Sequence, residues 1–325
     1  MPLKILAEQV SIGQGVSFGE NVTISGPRGM NAKIVLIGDG AVIEDGVVIF
    51  AEKVRIGIGA VVQKNFVIEV DADAPENSFI VLGDKSFLGA DGHAITGGLF
   101  VGDYTRLHNH IFIHGPGEIH IGHNGWVGGH CVLDGQGGLF IDDNVGVGAQ
   151  SQLWSHMQFG DVLAGCRWFS KKSLVIEQDV WFVGHCIVSP IRAYRRSMAL
   201  AGSVVTRDME ENHVYAGVPA RDVTSNMGPQ FVDSPPEVRM DRMKQYLEEF
   251  YAAHPEFRER TLLPVLKYDD RLDAGITQFH LMDRTYTRRR TDQELEFLSW
   301  VTPVKAKFLP HDWTSPLIEL DKMSK

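Results

Sequence analysis

An aliphatic or aromatic residue recurs at every sixth position through much of the first 206 residues. The clearest runs are Ile37, Ile43, Ile49; Ile56, Val62, Ile68; Leu82, Leu88, Ala94; Val101, Leu107, Ile113; Ile121, Val127, Leu133; and Ile141, Val147, Leu153. An earlier triplet, Ile12, Phe18 and Ile24, fits the same frame, and after a gap the series resumes as Phe182, Val188, Tyr194, Leu200 and Thr206. Neighbouring triplets begin 19 residues apart (37 to 56, 82 to 101) or 20 apart (101 to 121, 121 to 141). Each unit is therefore three hexads plus one or two turn residues. A period of six is wrong for an α-helix and for a plain amphipathic strand, which alternates every two. It predicts a coil with three short faces, one inward residue per face and a tight corner between faces. The polar or glycine residue that follows many anchors (Ile37-Gly38, Ile43-Glu44, Ile121-Gly122, Ile141-Asp142) suits such corners, where Gly, Asn and Asp tolerate positive φ. Stacked coils pair backbone groups above and below and complete one another's core.

Two segments break the hexads. Residues 70–79 are polar, contain Pro75 and read as a short loop, while residues 155–172 form a long insertion between Leu153 and Ile176 that a histidine opens. Long loops on a rigid scaffold frequently carry function. After Arg221 the repeat stops, so the β-helix is expected over 1–223, a linker over 224–236 and a small α+β appendage over 237–325. Within the appendage, Met240, Met243, Leu247, Phe250 and Tyr251 mark one face of a helix, residues 276–287 read as a strand, and Thr291 with Glu294 has the spacing of a capping box at the start of a second helix.

Composition narrows the function. The chain has 325 residues, 44% of them apolar, with a net charge of −10. That charge disfavours nucleic acid and anionic membrane as main partners. The N-terminus lacks a signal-peptide pattern, and no stretch reaches the roughly 18 apolar residues of a membrane span. Three cysteines, Cys131, Cys166 and Cys186, fit a reducing cytoplasm rather than a disulfide framework.

The hexads resemble those of the bacterial hexapeptide-repeat acyltransferases, and residues 141–221 are most similar to the galactoside and maltose O-acetyltransferase branch. The matching stretches are Leu153-Trp154-Ser155-His156, then Ile176 through Gly184 (IEQDVWFVG), then Ala201 through Asp208 (AGSVVTRD) and Tyr215 through Arg221 (YAGVPAR), in order and at compatible spacing. The resemblance implies a left-handed parallel β-helix, a homotrimer with its sites between subunits, acetyl-CoA as co-substrate and no metal. It also implies that His156 is the general base. A sugar hydroxyl is a poor nucleophile at neutral pH, and a neutral imidazole can take its proton as it attacks the thioester. By position, Trp181, Gly184, Ala201, Thr206, Arg207 and Arg221 would contact acetyl-CoA, the two arginines through phosphates. His130 would contact the acceptor, with Asp134 and Asp142 as nearby candidates. The chain departs from the branch at Ile191–Arg196, where Arg192, Arg195 and Arg196 enter.

The expected activity is thus O-acetylation of a sugar hydroxyl in a polysaccharide, lipopolysaccharide or small glycoside. N-acetylation of a nucleotide-linked amino sugar is the alternative. A further cluster (His93, His108, His110, His114, His120, His123 and His130) raises a zinc enzyme of the γ-carbonic anhydrase kind, which shares this fold; the acetyl-CoA-type tail and the His-headed insertion argue against it.

Overall fold

The anchors from Ile37 to Leu153 all point into one core, none of them more than 4% exposed. The computed structural model describes residues 3–74, 77–269 and 271–313. In it the chain winds as a left-handed parallel β-helix, each coil contributing one short strand to each of three faces. The first face stacks Ala32–Ile37, Lys53–Ile56, Phe79–Leu82 and their successors in register, so that Ile37 lies beneath Ile56, Ile56 beneath Leu82, Leu82 beneath Val101, Val101 beneath Ile121 and Ile121 beneath Ile141. The second face runs from Ser17–Phe18 through Trp126–Val127, Gly146–Val147, Trp181–Phe182 and Met198–Ala199 to Val214–Gly217. The third carries Val48–Phe50, Val132–Asp134, Gln152–Leu153, Ile187–Val188 and Val204–Val205. The strands His93–Val101 and Phe112–Ile121 bend from the third face into the first face of the next coil.

A second set of inward residues lies two positions before an anchor: Ala41, Val47, Ala60, Phe66, Cys131, Val145, Val180 and Cys186, all buried. They fill the prism at its corners, which a one-residue-per-face reading leaves empty.

Two corners are alike in every coil. Between first and second faces one residue takes positive φ (Lys85, Tyr104, Asn124, Asn144, Asp179), and between second and third faces another does (Asn65, Asp91, His110, His130, Gln150, His185). The third corner varies in length from coil to coil. Insertions there leave the three-strand stack intact, and it carries residues 71–78 and 154–173.

The hexad frame slips after Val188. The inward residues are Ala193, Ala199 and Val205, whereas Tyr194 is 37% exposed, Leu200 is half-buried and Thr206 is exposed. The third corner shortens at Ser189-Pro190, so the next anchor, Ala193, comes five residues after Val188, where the hexad frame places Tyr194. Ile12 is also exposed, at the open lower end of the stack. The 155–172 insertion is not all loop: His156–Gln158 pairs antiparallel with Phe169–Lys171 to make an arm.

The compact units divide between Phe231 and Val232. A short helix, Thr224–Met227, lies within the expected linker. In the second unit the helix Pro236–Ala253 buries Met243, Leu247, Phe250 and Tyr251. The expected strand over 276–287 is instead a hairpin, Thr277–His280 against Thr285–Tyr286, with Arg284 at φ 55 in its turn. Thr291 caps the helix Asp292–Val301 by accepting from the Glu294 N–H. The buried Glu294 carboxylate accepts from the Thr277 hydroxyl and from the N–H groups of Arg289 and Arg290.

Candidate active site

Third-face strands deliver their last residues to the variable corner, and there the chemistry gathers. The strand Val132–Asp134 ends in an aspartate whose side chain is fully buried. One coil above, the chain leaves Leu153 and rises as the arm. Gly137 lets the foot of the arm close over the lower coil. A Cβ at that position would lie 2.4 Å from the Ser155 carbonyl oxygen and 2.6 Å from that of Lys172.

Asp134 Oδ2 accepts from the Ser155 N–H at 2.8 Å, the Ser155 hydroxyl at 2.9 Å and His156 Nδ1 at 2.7 Å. Its Oδ1 accepts from the Gln136 N–H at 3.1 Å. Ser155 Oγ in turn accepts from the Gly137 N–H at 2.8 Å. Burial pushes the Asp134 carboxyl up, but the hydrogen bonds from His156, Ser155 and Gln136 outweigh it and hold it below the ordinary carboxylate range. An ionised Asp134 fixes the proton of neutral His156 on Nδ1, which leaves Nε2 with a free lone pair. The His156 side chain is about a quarter exposed, and its Nε2 lies across the ring from the buried carboxylate.

Asp134 was expected as a candidate to meet the acceptor. Its carboxylate is enclosed, with Oδ2 bonded to His156 and Ser155 and Oδ1 to Gln136 of the chain itself. His130 and Asp142 do not join His156 within one chain. His130 is a positive-φ residue at the corner between second and third faces, exposed and stacked on His110 at 4.7 Å, whereas Asp142 follows the first-face strand Leu139–Ile141 at the remaining corner.

The expected cofactor residues fall on two edges. Thr206 and Arg207, both exposed, follow the third-face strand Val204–Val205, in the column that runs up from Trp154 through Ser189. Trp154 donates its N–H to Val188, and Ser189 donates to Val205, so Thr206 stands two coils above Trp154. At about 4.8 Å per coil that separation is roughly 10 Å. Trp181 is an exposed second-face residue that leans over Gly146, while Gly184 and Ala201 lie at the corner between second and third faces. Arg221 is exposed in the antiparallel ribbon of Val214–Gly217 with Ala220–Asp222. The three arginines of the departing hexad serve the chain itself: Arg192 pairs with Glu177 at 2.6 Å, Arg195 with Glu211 at 3.4 Å, and Arg196 lies over the Phe231 ring.

Among the described residues no three His, Cys, Asp or Glu side chains gather as metal ligands, and none of the described helices is long and apolar enough to cross a membrane. Sequence reasoning did not single out His114 as a member of this site. Its third-face strand places it directly beneath Asp134. The coil spacing of about 20 residues that relates 114, 134 and 154 was the available signal.

Coils with two uniform corners and one variable corner make up a left-handed β-helix with a hydrogen-bonded His–Asp pair on one edge. No family model matches the chain. It is similar to the solved structure of a hexapeptide-repeat acetyltransferase from Vibrio cholerae, with 25% identity over 35% of this chain and 64% of that one, at a TM-score of 0.30. It is also similar to a maltose O-acetyltransferase from Clostridium difficile, with 27% identity over 32% and 57% of the two chains and a TM-score of 0.28. A UDP-N-acetylglucosamine acyltransferase from Campylobacter jejuni aligns over 93% of this chain and 98% of its own, at 13% identity and a TM-score of 0.42. The chain thus spans less than two thirds of the length of the first two.

Proposed function

We propose that the chain is an acetyl-CoA-dependent O-acetyltransferase whose acceptor is a sugar hydroxyl. The observation that carries this reading is the 2.7 Å contact between His156 Nδ1 and the buried Asp134, which frees Nε2 for a substrate proton on the edge that also bears Thr206 and Arg207. Both substrates bind together. As the acceptor oxygen attacks the thioester carbon, its proton passes to His156 Nε2. Asp134 stabilises the resulting imidazolium. The tetrahedral intermediate then expels the CoA sulfur, which recovers the proton from His156. The products are an acetyl ester and CoA–SH, and no acyl-enzyme forms.

The reading extends to the assembly. His156, Thr206 and Arg207 share one edge, whereas Trp181, Gly184 and Ala201 belong to another, so a cofactor touching both sets is best served by two copies. A homotrimer with three equivalent sites meets that need, with residues 1–223 as the catalytic domain, the sugar as partner and a reducing cytoplasm as location. The direct test is an acceptor screen with detection of the released CoA thiol. Release of CoA with glycosides, abolished by His156→Ala, supports the proposal. Turnover with amino sugars alone moves the assignment to N-acetylation, and no turnover with either removes it.

A further inference from the structure

Three rings stand around the Asp134 carboxylate. His114 and Trp154 are 5.9 Å apart between centroids, Trp154 and His156 are 6.2 Å apart, and His114 and His156 are 6.3 Å apart. The triangle is nearly equilateral. Its rings meet at 65°, 65° and 85°, so each presents an edge to the next, and the result is an open cup rather than a packed stack. The rings come from the coils on either side of the carboxylate: His114 lies in register one coil below Asp134, and Trp154 and His156 follow Leu153 in the coil above.

The two imidazoles use the carboxylate differently. His156 bonds Oδ2 at 2.7 Å, while His114 Nδ1 stands 3.6 Å from Oδ1, too far for a hydrogen bond. His114 therefore does not compete for the group that orients the base. Its ring is steadied by Phe112, two residues earlier on the same side of the strand, stacked at 5.1 Å and 22°. As with His156, the buried carboxylate faces Nδ1, so Nε2 lies on the far side of the ring, and the side chain is one quarter exposed. The Trp154 indole N–H is already bonded to Gln152 Oε1, which leaves the indole to offer apolar surface only.

We infer that His114 is an acceptor-binding residue and that the cup selects an acceptor with two adjacent hydroxyls. His156 takes the proton of one hydroxyl, and His114 Nε2 hydrogen-bonds its neighbour. Adjacent ring hydroxyl oxygens lie about one hydrogen-bond length apart, a span that two Nε2 edges on rings 6.3 Å apart can bracket with an ordinary bond to each. The C–H surface of the sugar then rests against Trp154. An acceptor with a single isolated hydroxyl would leave His114 unused. The inference rests on the reading of His156 as the base of a sugar acetyltransferase and adds the acceptor class to it.

The test uses the full chain, acetyl-CoA and a set of methyl pyranosides with their monodeoxy derivatives. In the wild-type chain, the derivative lacking the hydroxyl that His156 deprotonates should not be acetylated, and the one lacking its neighbour should be used with kcat/KM about 10- to 100-fold lower, the scale of a lost polar contact in a closed site. In His114→Ala the acceptor KM should rise about tenfold, more than the acetyl-CoA KM moves. The derivative lacking the hydroxyl held by His114 should then be used as well as its parent, because the lost partner has no further cost. His114→Gln keeps a polar group of similar reach and should recover part of the loss. If wild type uses every derivative that keeps the acetylated hydroxyl as well as the parent, if the penalty for losing the neighbouring hydroxyl persists unchanged in His114→Ala, or if both KM values rise alike, His114 does not bind the acceptor. If wild type acetylates no pyranoside, or His156→Ala works as fast as wild type, the underlying reading fails and the inference falls with it.

Discussion

Asp134 and His156 are 22 residues apart in sequence, yet their side chains meet at 2.7 Å, because one circuit of the prism returns the chain to the same corner. The contact is made across coils, so it tests the stacking as well as the chemistry. Asp134→Asn should lower kcat by on the order of 10², since an amide can neither fix the Nδ1 proton nor stabilise the imidazolium. Asp134→Ala should also cost about 1–3 kcal/mol of stability by leaving the enclosed Ser155 and Gln136 N–H groups unpartnered. Urea unfolding of the variants, alongside kinetics, separates the two effects. Because the folded-state pKa of Asp134 is depressed, its contribution is present above the unfolded carboxyl value, about 3.9, and is lost as pH falls through the folded value. The wild-type advantage over Asp134→Ala should therefore shrink in acid.

His156→Ala should reduce kcat by on the order of 10²–10⁴ with little change in acetyl-CoA affinity. Turnover of His156→Ala near the wild-type rate would mean that another group takes the acceptor proton.

Arg207→Ala and Arg221→Ala should weaken acetyl-CoA binding, and the residue that holds the 3′-phosphate should reveal itself by weakening the dephospho analogue less. Calorimetric titration of both ligands decides it. Equal weakening by both substitutions removes the phosphate assignment.

A site shared between copies predicts complementation. His156→Ala and Trp181→Ala chains, each nearly inactive alone, should regain activity when coexpressed, because mixed assemblies contain interfaces with both residues intact. Mixtures no more active than the separate variants, or a strictly monomeric mass with full activity, would rule out the shared site.

In the second unit, Thr291→Ala should cost about 1 kcal/mol by removing the side-chain acceptor from the Glu294 N–H. Hydrogen exchange of the helix Asp292–Val301 reads this directly, with Thr291→Asp as the variant expected to retain protection.

The repeat was legible because a buried β-branched or leucine side chain is unambiguous when it returns every six residues. Beyond Val188 the inward positions are filled by Ala193 and Ala199, small enough to pass for surface residues, while the larger Tyr194 beside them invites the wrong frame. His156 could be found from its flanking motifs. Asp134 could be noticed but not understood: Asp-Gly-Gln-Gly-Gly reads as a solvated turn, and only the arrival of Ser155 and His156 from the next coil encloses it. The turn inside 276–287 escaped for a related reason, since Arg284 takes the left-handed conformation without a glycine to announce it.

The variable corner also acts as a ruler with fixed graduations. Trp154, Ser189 and Thr206 occupy one column on successive coils, so the separation of the Asp134–His156 pair from the Thr206–Arg207 end is set by counting circuits. Substitutions can tilt a side chain on this edge, but they cannot stretch the edge by a fraction of a coil. A change in reach requires gaining or losing a whole circuit, a step of about 4.8 Å. A longer or shorter cofactor arm would therefore be matched by insertions and deletions of entire repeats, while the corner that holds Asp134 and His156 keeps its form.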